Sequence, residues 1–307
     1  MITSIFNKSK IINLIIVFFI TLLAFVTART NIINETFTPV FVFNQLSTFF
    51  ICAITILVFN FIVTKNNLTK SNSYDILLFS LFFLTLVQTT NHTNILISNF
   101  FVLLGIRRII SLRSQKNIKS KLFDAALWIA FASLFYFWAL LFFIVIIFSL
   151  FFYADNSLRH WIIPSIGVAT VFSIAVGVSI IIYNDYFEIF NSSRGISYDF
   201  SVYNSTNDIV AITMLISFSI WSSIFYLQNI KKQKKDLRAS FKIVIIAAII
   251  AFVVVLFAPD KNGSEFLFLF APLAIIITNY IQTIEDIWFR EVFVAILFIM
   301  PFVLLML

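Results

Sequence analysis

The 307-residue chain has one cysteine, two histidines and 14 aspartates and glutamates, and each scarcity closes off a class of chemistry. Cys52, alone inside an apolar stretch, can form neither an intrachain disulfide nor a cysteine-based metal cluster. His92 and His160 are far apart and lack neighbours at ligand spacing, so no metal and no cofactor is expected. Charged residues make up 11% against 61% hydrophobic, and the mean hydropathy is +1.03. Too little polar surface is left to clothe a water-soluble fold, so the bilayer must act as the solvent. Also missing are a soluble domain, a long linker and a strong internal repeat, the last being a mark of many transporters.

What charge there is lies in order. Sixteen of the 21 Lys and Arg residues fall into four clusters, Lys8/Lys10, Lys65/Lys70, Arg107 to Lys121 and Lys231 to Lys242. Long apolar runs separate them, which is the pattern of loops retained in the cytoplasm. The net charge of +7 does not point to nucleic acid, because the basic residues interrupt apolar runs and form no aromatic-interleaved patch. A cytoplasmic surface facing anionic membrane lipids explains it better. The 41 Phe, with many Ile, Asn and Lys, read as the codon bias of an AT-rich genome. Lys8 and Lys10 before Ile11 to Ala28 mimic a signal peptide, but further apolar segments follow and an uncleaved first helix is expected.

The apolar runs are Ile11 to Ala28, Gln45 to Val63, Tyr74 to Leu86, Ile95 to Ile106, Leu122 to Tyr153, Trp161 to Tyr183, Asp208 to Leu227, Phe241 to Ala258, Phe266 to Ile284 and Val292 to Leu307. A helix needs roughly 20 residues to cross the hydrocarbon core. The run 122–153 is too long for one crossing and short for two, and charge decides between them. A single crossing leaves 12 Lys/Arg inside and 9 outside, whereas a turn near Tyr136 to Ala139 gives 18 inside and 3 outside. The turn is expected. The fold class is therefore an all-α polytopic transmembrane bundle. It has eleven crossings, the N-terminus in and the C-terminus out, with short helical hairpins at 74–106 and 122–153. It forms a single integral domain over 1–307, placed in a bacterial inner membrane. Its outer loops are 29–44, 184–207 and 259–265, and its basic cytoplasmic loops are 107–121 and 228–240.

Candidate functional residues lie in the outer loops. In 29–44, Glu35 is the only carboxylate and could serve as a general base, beside Arg29. Loop 184–207 mixes aromatic and charged residues as a polar headgroup or sugar would require, and as the interfacial belt at a helix end also does. There Asp199 is a second candidate base, while Arg194 and Tyr198 are candidate ligand contacts, Arg194 by a planar phosphate clamp. Lys261 belongs to the turn APDKNGSE, whose residues turn chemistry also explains. Asp75 and Asp124 suit the first turns of helices, where a negative charge offsets exposed amides. No charge falls at mid-bilayer depth, so an ion relay is missing.

Three stretches resemble the multispanning glycosyltransferases of the C-type fold, which use polyprenyl-phosphate sugars. They are RRIISLRSQKNIKSKLFDAALWIAFASLFYFWALLFFIVIIFSLFF, the start of the next crossing with Arg159, Trp161 and Pro164, and PDKNGSEFLFLFAPLAIIITNYI with Pro272. In that family the first outer loop carries adjacent acids followed by an aromatic. The matching loop here offers Asn34, Glu35, Thr36 and Phe37. The resemblance implies a protein that handles a lipid-linked (polyprenyl phosphate) sugar at the outer face. Catalysis there would fall to Glu35 or Asp199, and phosphate neutralisation to Arg29, Arg194 or Lys261. Two alternatives stand beside it. One is a non-catalytic subunit of an assembly with other inner-membrane proteins. The other is a lipid flippase without ion coupling, using polar positions such as Thr55, Asn60 and Ser133.

Overall fold

A computed structural model describes residues 2–30, 38–153, 157–190 and 195–306. Among them every regular element is helical. The α-helices are α1 (Ile2–Phe6), α2 (Ile11–Thr27), α3 (Pro39–Asn66), α4 (Tyr74–Thr85), α5 (Thr93–Ser111), α6 (Ile118–Phe135), α7 (Phe143–Tyr153), α8 (Leu158–Tyr183), α9 (Thr206–Ile230), α10 (Lys235–Phe257), α11 (Leu267–Ile281) and α12 (Ile287–Leu304). Among the described residues, seven helical stretches are long and apolar enough to cross a membrane. The chain divides into two units. One comprises residues 1–96, 199–233 and 261–307, and the other 97–198 and 234–260.

In the first unit α4 is the hub. All twelve of its residues are buried, with α2, α3, α11 and α12 packed around it. At 1.5 Å per residue it is about 18 Å long, too short to span hydrocarbon alone. Being sheathed by protein, it presents no lipid-exposed backbone end. Its inner face is aromatic. Phe79 stacks on Phe59 with centroids 4.8 Å apart, and Phe79, Phe82 and Phe83 converge on Phe270 of α11. Every residue of α11 is buried as well.

Helix ends in this unit follow local chemistry. Thr38 caps α3 by accepting from the Phe41 amide, ahead of Pro39, and Ser205 and Asp286 cap α9 and α12 in the same manner. Asp75 does sit in the first turn of α4 but is 1% exposed. Both of its carboxylate oxygens lack a partner within hydrogen-bond geometry. Around that end, the Tyr74 hydroxyl donates to Thr3 O (2.7 Å), Thr3 donates to Glu291, and Asn279 donates to Leu68 O (2.9 Å).

In the second unit α6 stops at Phe135, because Tyr136 is extended (φ −148°, ψ 108°). The 3-10 stretch Phe137–Phe142 then leads into α7. The chain doubles back here. Gln115, before α6, donates to the carbonyl of Tyr153 at the end of α7 over 2.8 Å. Helices α6 and α8 meet at Gly167, where an added Cβ would come within 2.9 Å of Ala126 Cβ and of Phe123 O.

Two expected boundaries move. The short segment 95–106 is a 19-residue helix, α5, because Arg107 and Arg108 extend it rather than end it. Asp124 is not in a first turn, since α6 begins at Ile118. It forms an ion pair with Arg108 at 3.0 Å instead.

Candidate functional site

One cluster of polar residues in the first unit surrounds the 3-10 turn Val87–Thr90, which links α4 to α5. An apolar hairpin would need nothing more than a tip here, yet Gln88, Thr89 and Thr90 bring donors and acceptors to it. Arg29, just past α2, donates from Nη1 to the Thr90 hydroxyl (3.1 Å) and to Phe25 O (3.1 Å). From Nη2 it donates to Thr90 O (2.8 Å), and from Nε to the Gln45 side chain. Its guanidinium also lies 3.4 Å from the Phe25 ring centroid. All of these partners are neutral. Among the described residues no carboxylate lies within ion-pair distance of Arg29. Burial lowers its pKa to about 10, which leaves it charged at neutral pH.

On the other side of the turn, Gln88 Nε2 donates to Asp208 Oδ1 (2.7 Å), while Ser205 donates to Asp208 Oδ2 (2.6 Å). Asp208 is thus fixed at the start of α9, where its charge also suits the helix dipole. Gly263 presses on the same glutamine. It has φ +83°, and a Cβ there would stand 3.2 Å from Gln88 Oε1.

The loop bearing Gly263 carries two residues that burial transforms. Lys261 is 6% exposed, with Nζ 4.7 Å over the Phe200 ring. Desolvation lowers its pKa and the charge of Glu265 partly offsets this. Glu265 itself is 0% exposed and accepts a hydrogen bond from the Tyr203 hydroxyl. Its second oxygen has no partner. Lys261 is therefore a buried residue with a structural setting rather than a solvated turn position.

The remaining sequence candidates fare differently. Asp199 is exposed, and its Oδ1 accepts from Ser201 N at 2.9 Å. Hydrogen bonding from Ser201 holds its carboxyl below the usual range. Tyr198 belongs to the second unit, is 69% exposed, and meets Phe257 edge-on at 6.2 Å. Glu35 and Arg194 lie outside the described residues. Arg29 and Lys261 are brought to one set of loops, which neither was assigned by spacing alone. Thr90, Gln88 and Asp208 were not among the candidates the sequence offered, whereas Tyr203 belonged to the aromatic set of loop 184–207. The polar run Gln88 to Asn94 between two apolar segments was the signal available.

Two further features bear on ligand chemistry. In the second unit a cavity of about 460 Å³ is lined by Phe137, Trp138, Leu140, Leu141, Ile144 and Val168. It suits a hydrocarbon chain and contains none of the polar candidates. The hydroxyls of Thr55 and Ser133 each bond a carbonyl of their own helix, at 2.6 and 2.7 Å.

No curated protein and no solved structure matches the chain. One family model does match, that of a family of unknown function (DUF6427), over residues 1–307.

Proposed function

We propose that this chain, which belongs to the DUF6427 family, is a membrane protein that holds the anionic headgroup of a lipid at Arg29 without catalysing its transfer. The observation that carries the reading is the Arg29 guanidinium, kept charged, half-buried and oriented, among the described residues, by neutral acceptors alone. A buried cation without a counter-charge is costly unless something anionic completes it. Four of its five N–H groups are engaged internally, so a phosphate would complete it through its charge and the remaining Nη2 N–H. The resemblance to polyprenyl-phosphate-dependent glycosyltransferases makes a lipid-linked sugar the headgroup class of choice.

Asp199 is set aside as a base for a chemical reason. A general base works best with a pKa near the operating pH, whereas Asp199 is held below the ordinary carboxylate range. The finer map goes with this reading: eleven crossings in a bacterial inner membrane, the N-terminus inside, and the Arg29 loops on the outer face. Lys234→Cys tests that map, since Cys52 is 0% exposed and stays silent. Labelling of Lys234→Cys by an impermeant thiol reagent in intact cells would invert it.

The binding test uses purified protein and undecaprenyl phosphate. Arg29→Gln should weaken retention of that lipid about tenfold or more, the loss expected for a charge-assisted hydrogen bond. Equal retention by wild type and variant would overturn the proposal. Glu35→Gln should leave cellular glycans unchanged, and their loss would restore the catalytic version. One observation favours an accessory role in an assembly: Arg29, Gln88 and Asp208 are tied into internal bonds. Stoichiometric partners on mild-detergent purification would support that second reading.

A further inference from the structure

The second unit concentrates charge that the headgroup reading at Arg29 does not use. Residues 107–121 and 234–242 contain ten Lys and Arg and one carboxylate, Asp236. More than a hundred positions separate them, yet the fold joins them along the end of α7. Gln115 donates to Tyr153 O at 2.8 Å, and the Tyr153 and Ser240 hydroxyls are bonded at 2.7 Å. Lys242 Nζ stands 5.1 Å from the Phe152 ring centroid. The charges of Arg113 and Asp236 both reach Tyr153.

Some of these cations have internal work. Lys121 Nζ donates to Ser111 O and Ser114 Oγ, both at 2.6 Å, and Arg108 pairs with Asp124. Lys116, Lys119, Lys234, Lys235 and Lys242 are exposed. The geometry points to a single composite surface, built from both clusters around Tyr153, that binds the phosphates of anionic lipid headgroups in the leaflet it meets.

Height favours lipid over an acidic protein segment. Arg107 and Arg108 lie in the last turns of α5, and Lys235, Arg238 and Lys242 in the first turns of α10, both candidate spans. Those turns are where a crossing helix leaves hydrocarbon for headgroups. Lysines on long flexible stems suit mobile phosphates, and each basic residue near such a surface strengthens attraction about fivefold, or about 1 kcal/mol.

The test uses the full-length protein in nanodiscs of phosphatidylcholine, alone or with phosphatidylglycerol. Two readouts are taken, the thermal midpoint and the phosphatidylglycerol enrichment among lipids retained on extraction. Phosphatidylglycerol should raise the midpoint and be enriched, and both effects should shrink in high salt. Lys116→Gln with Lys119→Gln, or Lys235→Gln with Lys242→Gln, should each remove most of the enrichment while leaving the midpoint in phosphatidylcholine unchanged. Lys234→Gln alone serves as a milder variant should either pair fail that control, and is expected to lower enrichment about fivefold. The proposal is overturned if phosphatidylglycerol has no effect, as would follow were an acidic protein segment the true occupant. It is equally overturned if each pair removes only its own independent share.

Discussion

Arg29 and Thr90 are joined twice, once through the threonine hydroxyl at 3.1 Å and once through its backbone carbonyl at 2.8 Å. This pair of hydrogen bonds between residues 61 positions apart ties the end of α2 to the turn after α4. It needs the planar fork, because a lysine ammonium cannot address both oxygens and Gln45 together. Arg29→Lys should therefore lower unfolding free energy by about 1–3 kcal/mol, the range for stranding buried acceptors. Thr90→Val, which keeps the carbonyl partner, should cost less. Denaturant unfolding in detergent would compare the two, and equal effects would contradict the two-point attachment.

Gly263 supports the same turn through its backbone. A side chain there must adopt φ +83° and crowd Gln88. The left-handed region alone costs roughly 1–2 kcal/mol for a non-glycine residue. Gly263→Ala should lower the thermal midpoint, and a Gln88→Ala background should recover only the crowding part of the loss.

Helices α6 and α8 depend on a close backbone approach at Gly167. An ordinary Cβ would already overlap Ala126 and Phe123 O, so Gly167→Val should cost about 1–3 kcal/mol by overpacking. Gly177, with open space around its notional Cβ, is the control on the same helix. Gly177→Ala should be neutral or slightly stabilising, since alanine favours the helix.

Lys261 gives a pH signature of definite sign. Burial depresses its folded-state pKa below the 10.5 of the unfolded chain. Between those two values the unfolded state binds the extra proton. Stability contributed by this group must therefore rise with pH through that alkaline window, and its cost is fully present below it. Lys261→Met should flatten that slope in unfolding measured against pH. A slope unchanged by the substitution would show that the lysine is solvated in the folded state.

The sequence was most legible where length and charge act together. The break at Tyr136 could be placed because 32 apolar residues fit neither one crossing nor two comfortably, and because the basic clusters could not be divided sensibly without it. Side-chain burial in the loops was not legible. Lys261 and Glu265 occupy a run of Pro, Asp, Asn and Gly that any turn would use, and only the docking of Tyr203 and Phe200 on that run takes them from water. Arg29 was identifiable as a lone cation in its loop, but its partner Thr90 lies in a different hairpin, and no local period connects them. The displaced start of α6 has a similar cause. Lys119 and Lys121 look like loop residues by charge, yet Lys121 caps the carbonyl of Ser111 from within the helix.

Helices α4 and α11, the two most enclosed in the first unit, are encoded nearly two hundred residues apart and share the Phe79, Phe82, Phe83 and Phe270 cluster. During synthesis α4 emerges long before the neighbour that will enclose it, and it is too brief to be comfortable among lipid tails by itself. Its final placement must await the arrival of the closing helices. The nascent protein thus carries an unfinished centre through most of translation, and whatever shelters that segment meanwhile governs how much of it matures.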